Sequence, residues 1–165
     1  MVQELTAEIV KALLSYNEDT GILTWLSSGN GKNAGQEAGG IHKYDGYKIL
    51  CIYGKQYKYH RVAWLLHYGE WPKQVIDHIN GDKLDNRICN LRDVSVKTNR
   101  QNSRVPGKKN KSGFLGVSKS KNEKKWRAHI RINDKQVEIG RFTNPEEAHQ
   151  AYLMAKRQYH AGCTI

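Results

Sequence analysis

Residues 77–102 read Asp-His-Ile-Asn-Gly-Asp-Lys-Leu-Asp-Asn-Arg-Ile-Cys-Asn-Leu-Arg-Asp-Val-Ser-Val-Lys-Thr-Asn-Arg-Gln-Asn. The apolar pair Val75-Ile76 leads in as a strand, and the Asn, Asp and Gly residues that follow predict a turn-rich loop. Leu91 to Val94 then reads as a second strand, and a helix begins near Ser95. Few cores need one His, several carboxylates and a series of Asn so close together. A site that holds a divalent metal against a phosphodiester does need them. A His serves as a base near neutral pH, and hard oxygen ligands suit Mg²⁺, which keeps several waters and takes one or two protein ligands. Asp77 and His78 are neighbours, so on a regular strand their side chains point to opposite faces.

The 165-residue chain has a formal net charge of +11, which points to a polyanionic partner, nucleic acid before others. That charge is unevenly spread. Residues 1–102 hold 13 Lys and Arg against 11 acidic residues, whereas residues 103–165 hold 14 against 5. The asymmetry predicts a separate binding module in the C-terminal third. No apolar run approaches the ~20 residues of a membrane span, and no signal pattern opens the chain, so a soluble, cytoplasmic protein is expected. Cys51, Cys89 and Cys163 are isolated, which supports neither a disulfide framework nor a zinc ribbon and predicts mostly buried, reduced thiols.

Along the chain, Thr6 to Leu14 reads as a helix capped by Thr6, with Ile9, Val10, Leu13 and Leu14 on one face. Gly21 to Trp25 reads as a strand and 27–40 as a loop. Tyr47, Ile49, Cys51 and Tyr53 alternate up to a Gly54-Lys55 turn, after which Tyr57 and Tyr59 resume the period of a β-hairpin. His60 to Tyr68 is a helix with Val62, Leu65 and Leu66 inward, closed by Gly69. The interleaved Tyr and Lys residues admit two readings, an aromatic core face or a surface laid on DNA, with Lys55 and Lys58 as contact candidates. Residues 103–111 are a basic linker. Three short strands follow at 114–118, 126–132 and 136–142, and then a helix with Asn144 as cap, Pro145 at its first position and Gly162 past its end. Ala148, Ala151, Tyr152, Ala155 and Tyr159 keep helical spacing as a face for the sheet.

The pattern Asp-His-x-Asn-Gly, then Asp-Asn-Arg, Asn-Leu-Arg and Asn-x-x-Asn, resembles the HNH nuclease family with its ββα-metal fold, and in particular the homing endonucleases of phages and mobile introns. The resemblance covers about Tyr57 to Asn102, including His60-Arg61. It implies Asp77 and Asn99 as metal ligands, His78 as general base, and Asn90 as the residue that braces the loop between the strands. The last motif position is Asn99 rather than the His of the family's name, in keeping with oxygen ligation of Mg²⁺ or another divalent cation such as Mn²⁺. Residues 112–162 are similar to the APETALA2-type DNA-binding domain, through Gly116-Val117, Trp126-Arg-Ala-His-Ile-Arg131, Ile139-Gly-Arg-Phe142 and Pro145-Glu-Glu-Ala148. They depart from it at Leu115, Ser118 and His129.

The expectation is an α+β protein: an HNH domain over 1–102 with its core at 57–102, a linker at 103–111, and a three-stranded antiparallel sheet packed on one helix over 112–165. It would be a metal-dependent endonuclease acting on double-stranded DNA in a phage-infected cell, as monomer or homodimer. A DNA-binding regulator with a degenerate nuclease site is the competing reading. DNA-contact candidates are Arg61, Arg104, Lys108, Lys109, Lys119, Lys121, Arg127, Arg131 and Lys135, besides Lys55 and Lys58. Arg61 admits a fold-bracing role equally, and Arg87 and Arg92 admit phosphate contact or ion pairing. Asp82, Asp85 and Asn86 are expected to shape the loop through backbone hydrogen bonds.

Overall fold

The computed structural model describes residues 5–29, 31–107, 109–119 and 123–165. It is α+β, and its chain divides into two compact units, Met1–Ser95 and Val96–Ile165. The division falls ahead of the boundary expected after residue 102, because residues 98–104 are tied to the C-terminal unit. Gly162 lies against the Thr98 carbonyl, Arg104 donates to Thr164, and Lys156 donates to the Ser103 carbonyl at 2.5 Å.

In the first unit, α1 (Ala7–Leu13) starts at Thr6, whose hydroxyl accepts from the Ile9 amide at 3.4 Å. It ends one residue earlier than its apolar period predicts. Leu14 instead opens β1 (Leu14–Asn17), a strand that the helical spacing conceals, paired antiparallel with β2 (Ile22–Trp25). Asn17 Oδ1 accepts from the amides of Asp19 and Thr20 and so builds the turn, which closes through Gly21 at a φ of +73°. A three-stranded sheet follows, β3 (Gly40–Ile41), β4 (Lys48–Ile52) and β5 (Lys55–Lys58). Tyr53 and Gly54 both take positive φ, 50° and 78°, at the tight turn, so the turn sits one residue earlier than predicted. The inward residues are Leu50 and Ile52, not the Tyr47/Ile49/Cys51/Tyr53 set, and Cys51 is exposed. Cys89 is exposed and Cys163 half-buried, so none of the three thiols is in the core.

Tyr59 belongs to α2 (Tyr59–Tyr68), not to the hairpin. The helix has no side-chain cap at Lys58. Its first residue is instead anchored by a fully buried ring whose hydroxyl accepts from the Leu23 amide at 2.5 Å. Val62 and Leu65 pack with Val10, Leu14, Leu23, Leu50 and Ile52 in the main core, and Ala63 faces a smaller cluster with Ile76 and Leu91. Each such Leu, Ile or Val contributes about 1.5–3 kcal/mol by burial. The second cluster seats the two-stranded sheet of β6 (Val75–His78) and β7 (Leu91–Val94) on the helix.

The second unit begins with α3 (Val96–Gln101) and continues through β8 (Val117–Ser118), β9 (Trp126–Ile132), β10 (Lys135–Phe142) and α4 (Pro145–Tyr159). Only two residues of the expected 114–118 strand pair. The sheet order is β10-β9-β8, antiparallel, with a left-handed Asn133-Asp134 turn and a register shift between Glu138 and Gly140. Asn144 caps α4 through its side chain, which accepts from the Glu146 amide at 2.7 Å. Ala148 packs down on Val117 and Ala128, and the buried stripe runs on through Tyr152 to Lys156, while Tyr159 is half exposed. Gly116, at a φ of +70°, lies flat against the Tyr152 ring, where any Cβ would overlap it. Gly116→Ala is therefore expected to destabilise the second unit by about 1–3 kcal/mol or more, through overlap and backbone strain together, read as a lower urea midpoint at unchanged m-value.

Candidate active site

Asp77 and His78 end β6, both buried, at 5 % and 4 % exposure. Strand alternation sends them to different walls. Asp77 lies opposite its cross-strand partner Arg92, whose Nε and NH2 donate to Oδ2 at 2.9 and 2.7 Å. Of the two sequence readings for Arg92, the structure has the ion pair. His78 turns toward α2 and the 79–90 loop. Its ring meets that of His60 edge-on at 5.1 Å and that of Tyr47 at 5.8 Å, and its Nε2 lies 3.3 Å from Asn86 Oδ1. Burial holds the His78 imidazole below its ordinary range, with Asn86 and the nearby carboxylates Asp77, Asp82 and Asp85 pulling the other way.

The loop that covers His78 is built by Asx-type hydrogen bonds. Asn80 Oδ1 accepts from the Asp82 amide at 2.8 Å and Asp82 Oδ1 from the Leu84 amide at 2.9 Å, while the His78 carbonyl accepts from Gly81. Asn90 sits in a single 3₁₀ turn, Ile88–Asn90, and closes the loop from the far side. Its Oδ1 accepts from the Asn80 amide at 2.9 Å and its Nδ2 donates to the Asp85 carbonyl at 2.7 Å. Asp85 also takes a two-pronged contact from Arg87, which holds its carboxyl down at about 2. Asp82 and Asp85 thus shape the loop through backbone bonds as their types predict. Asn86 does more: it is 1 % exposed, donates to the Leu84 carbonyl at 2.9 Å, and presents its oxygen to His78.

Sequence reasoning did not foresee Tyr47, His60 or Asn86 beside His78, and no local motif carries the first two. His60 is buried, so desolvation pushes its imidazole down to about 3, and its Nδ1 has no hydrogen-bond partner among the described residues. Tyr47 stands against both imidazoles, 5.2 Å from His60, with the ammonium groups of Lys58 and Lys83 at 5.0 and 4.8 Å from its ring. Lys58 and His42 both pair with Asp45, whose carboxyl their contacts hold well below the usual range.

The proposed DNA-contact residues are scattered. Lys55 is exposed at the hairpin turn, 5.5 Å over Tyr57. Arg61 donates to the carbonyls of Gln74 and Pro72 and lies over Trp71, so it braces the approach to β6. In the second unit Ala128 and Ile130 are buried toward α4, which leaves Arg127, His129 and Arg131 on the opposite face of β9. Arg127 lies 3.3 Å from Glu123, and Arg131, Lys135 and Lys109 are exposed. Lys119 is exposed 5.0 Å over Trp126, which itself packs against the small core. Arg104 is committed to Thr164, and Lys108 and Lys121 lie outside the described residues. Asn99 lies half-buried on α3.

Among the described residues no three His, Cys, Asp or Glu side chains gather into a metal-binding group. Asp77 presents a buried carboxylate, an oxygen donor of the type that hard divalent cations take. No described helix is long and apolar enough to cross a membrane.

Residues 57–104 match the HNH endonuclease family, a span that holds α2, the β6–β7 hairpin with its loop, and α3, and the match supports a nuclease domain there. The chain is also similar to Protein 3.8 of Escherichia phage T7, at 38% identity over 78 residues, 47% of this chain and 64% of that protein. The chain thus spans under two thirds of the length of the curated relative it matches. No solved structure matches it. The HNH match stops at residue 104, and neither match names an APETALA2-type domain for the sheet and helix beyond it.

Proposed function

We propose that the chain is a metal-dependent DNA endonuclease of the HNH type, similar to phage homing enzymes, with residues 112–165 as an APETALA2-like DNA-binding module. The observation that carries this reading is the buried Asp77-His78 pair at the end of β6, under a loop closed by Asn90 and within the span that matches the family. His78 takes the proton of a water that attacks the phosphorus, the bond from phosphorus to the 3′-oxygen breaks, and that oxygen leaves. A divalent ion, Mg²⁺ or Mn²⁺, supplies charge neutralisation at the scissile phosphate and at the leaving oxygen when bound. Asp77 would hold it, with Asn99 as the second ligand by its place in the motif. Burial keeps His78 neutral and therefore basic at physiological pH, and Asn90 holds the loop so that the ring does not swing away. One such site per monomer nicks, and a double-strand break takes a homodimer or two events.

His78→Ala should lower Mg²⁺-dependent plasmid nicking by at least about 100-fold, in the range of a lost general base, with DNA affinity in EDTA unchanged. Cleavage by the variant at the parent's rate removes His78 from the chemistry, and no product from the parent in any divalent ion favours the non-catalytic regulator. Because burial places the His78 pKa below 6.5, cleavage should hold its plateau as pH falls through 6.5 and decline only below it. A pH profile of kcat with its acid limb at or above 6.5 contradicts that placement. The exposed cations of the second unit should act through phosphates. Arg131→Ala with Lys135→Ala should weaken binding for all sequences alike and reduce the log Kd against log salt slope by about 2, measured by fluorescence anisotropy.

A further inference from the structure

The N-terminal hairpin, outside the span that matches the HNH family, holds the loop residue that touches His78. Two contacts make the connection. Tyr16 on β1 donates its hydroxyl to the Asn86 carbonyl at 2.7 Å, across 70 residues of sequence. Gly21, at the β1–β2 turn, packs so closely on the Asn86-Arg87 peptide that a Cβ there would stand 2.5 Å from both the Asn86 carbonyl carbon and the Arg87 nitrogen. Only glycine takes that φ of +73° and that approach together. The Asn86 backbone is thus pinned from outside while its side chain is pinned from within.

The side chain can face His78 in one sense only. Its Nδ2 donates to the Leu84 carbonyl at 2.9 Å, and a carbonyl accepts but cannot donate, which assigns nitrogen to that end and oxygen to the other. Oδ1 therefore meets His78 Nε2, and an amide oxygen is solely an acceptor, so Nε2 carries the proton. In a neutral imidazole the lone pair then resides on Nδ1. We propose that Asn86 is a positioning residue that fixes His78 as its Nε2–H tautomer, making Nδ1 the proton-accepting atom, and that the β1–β2 hairpin clamps Asn86 in this role. The proposal rests on the reading of His78 as the general base, but its first test does not need that reading.

Two-bond ¹H–¹⁵N spectra of the ¹⁵N-labelled full chain at neutral pH, without metal or DNA, read the tautomer directly. The expected result is a protonated Nε2 and a lone-pair-bearing Nδ1 for His78. The reverse assignment overturns the proposal whatever the enzyme does. In Asn86→Leu, which keeps the bulk and loses the acceptor, the His78 signals should shift toward a mixture of tautomers. In the same variant kcat for nicking should fall about 10–100-fold with KM within about twofold. Asn86→Asp, which restores an acceptor, should recover most of that loss. Tyr16→Phe, which keeps the ring and removes one bond, should lower kcat severalfold with DNA affinity intact and the melting midpoint within a few degrees. A parental kcat in Asn86→Leu, or an equal loss in the Leu and Asp variants, overturns the positioning role, and a parental kcat in Tyr16→Phe overturns the clamp. If the tautomer is as stated but His78→Ala still cleaves, the geometry stands and the general-base reading falls.

Discussion

The Asn90 side-chain amide is the interaction on which the rest of the site depends. With one oxygen and one nitrogen it joins the Asn80 amide to the Asp85 carbonyl, and so ties the start of the 79–90 loop to its middle. No backbone group could reach both. An aspartate at the same position would lose the donor and face the Asp85 carbonyl with a second acceptor, leaving at least one buried polar group unmet at about 1–3 kcal/mol. With the loop tied, Asn80 and Asp82 can spend their side chains on turn amides, and Asn86 is delivered beneath His78. The stretch is crowded with Asn and Asp because a loop that lies over a strand end has no ladder of its own. Its backbone hydrogen bonds have to come from short polar side chains.

The same constraint explains how two ionisable groups remain buried at one strand end. An uncompensated charge there would be costly, and each group avoids that by a different route. Asp77 is met by Arg92 on the neighbouring strand, whose Nε and one terminal nitrogen donate to the same carboxylate oxygen. His78 has its Nε2 3.3 Å from the neutral amide oxygen of Asn86, and burial favours its neutral form. Two adjacent residues thus meet opposite surroundings, Asp77 a guanidinium and His78 a neutral amide. His60 and Tyr47 extend the neutral wall: desolvation keeps His60 uncharged, and its ring packs edge to face with that of His78.

What the sequence made legible follows from range. The Asp-His pair, the loop rich in Asx residues and the strands on either side are separated by few residues, and their signals lie in spacing alone. So do the α4 cap at Asn144-Pro145 and the Asn133-Asp134 turn, where the residue types are dictated by local backbone geometry. β1 was hidden because Leu14 continues the helical period of α1 and the strand is only four residues long. Cys51 was expected inside as an isolated, reduced thiol, yet it lies on the face opposite Leu50, and a period of two does not say which face is buried. Tyr47 and His60 reach His78 from outside the 77–102 stretch, and no spacing within that stretch encodes such a meeting. The placement of α3 with the C-terminal unit depends on Gly162, more than 60 residues downstream, where a side chain would strike the Thr98 carbonyl.

The charge distribution follows the same division. Residues 1–95 hold 11 Lys and Arg and 11 acidic residues, and residues 96–165 hold 16 and 5. The first unit is neutral as a sum, and many of its charges are also matched one to one: Lys48 with Glu37, Lys58 with Asp45, Arg87 with Asp85, Arg92 with Asp77. Pairing of this kind serves the chemistry. On the proposed reading, a strongly positive pocket would repel the cation assigned to Asp77, and a strongly negative one would repel the phosphate. A balanced pocket lets the metal's own charge decide the local potential. The cost is weak long-range attraction for a polyanion, since opposite charges a few ångströms apart cancel beyond about one Debye length. Attraction therefore has to come from unpaired cations elsewhere, and exposed Arg131 and Lys135 belong to the segment that carries the whole net charge. Salt then weakens encounter far more than it alters the bond-breaking step. On the proposed reading, a neutral site and a basic segment are two requirements of one reaction, met in separate stretches of chain because one pocket could not meet both.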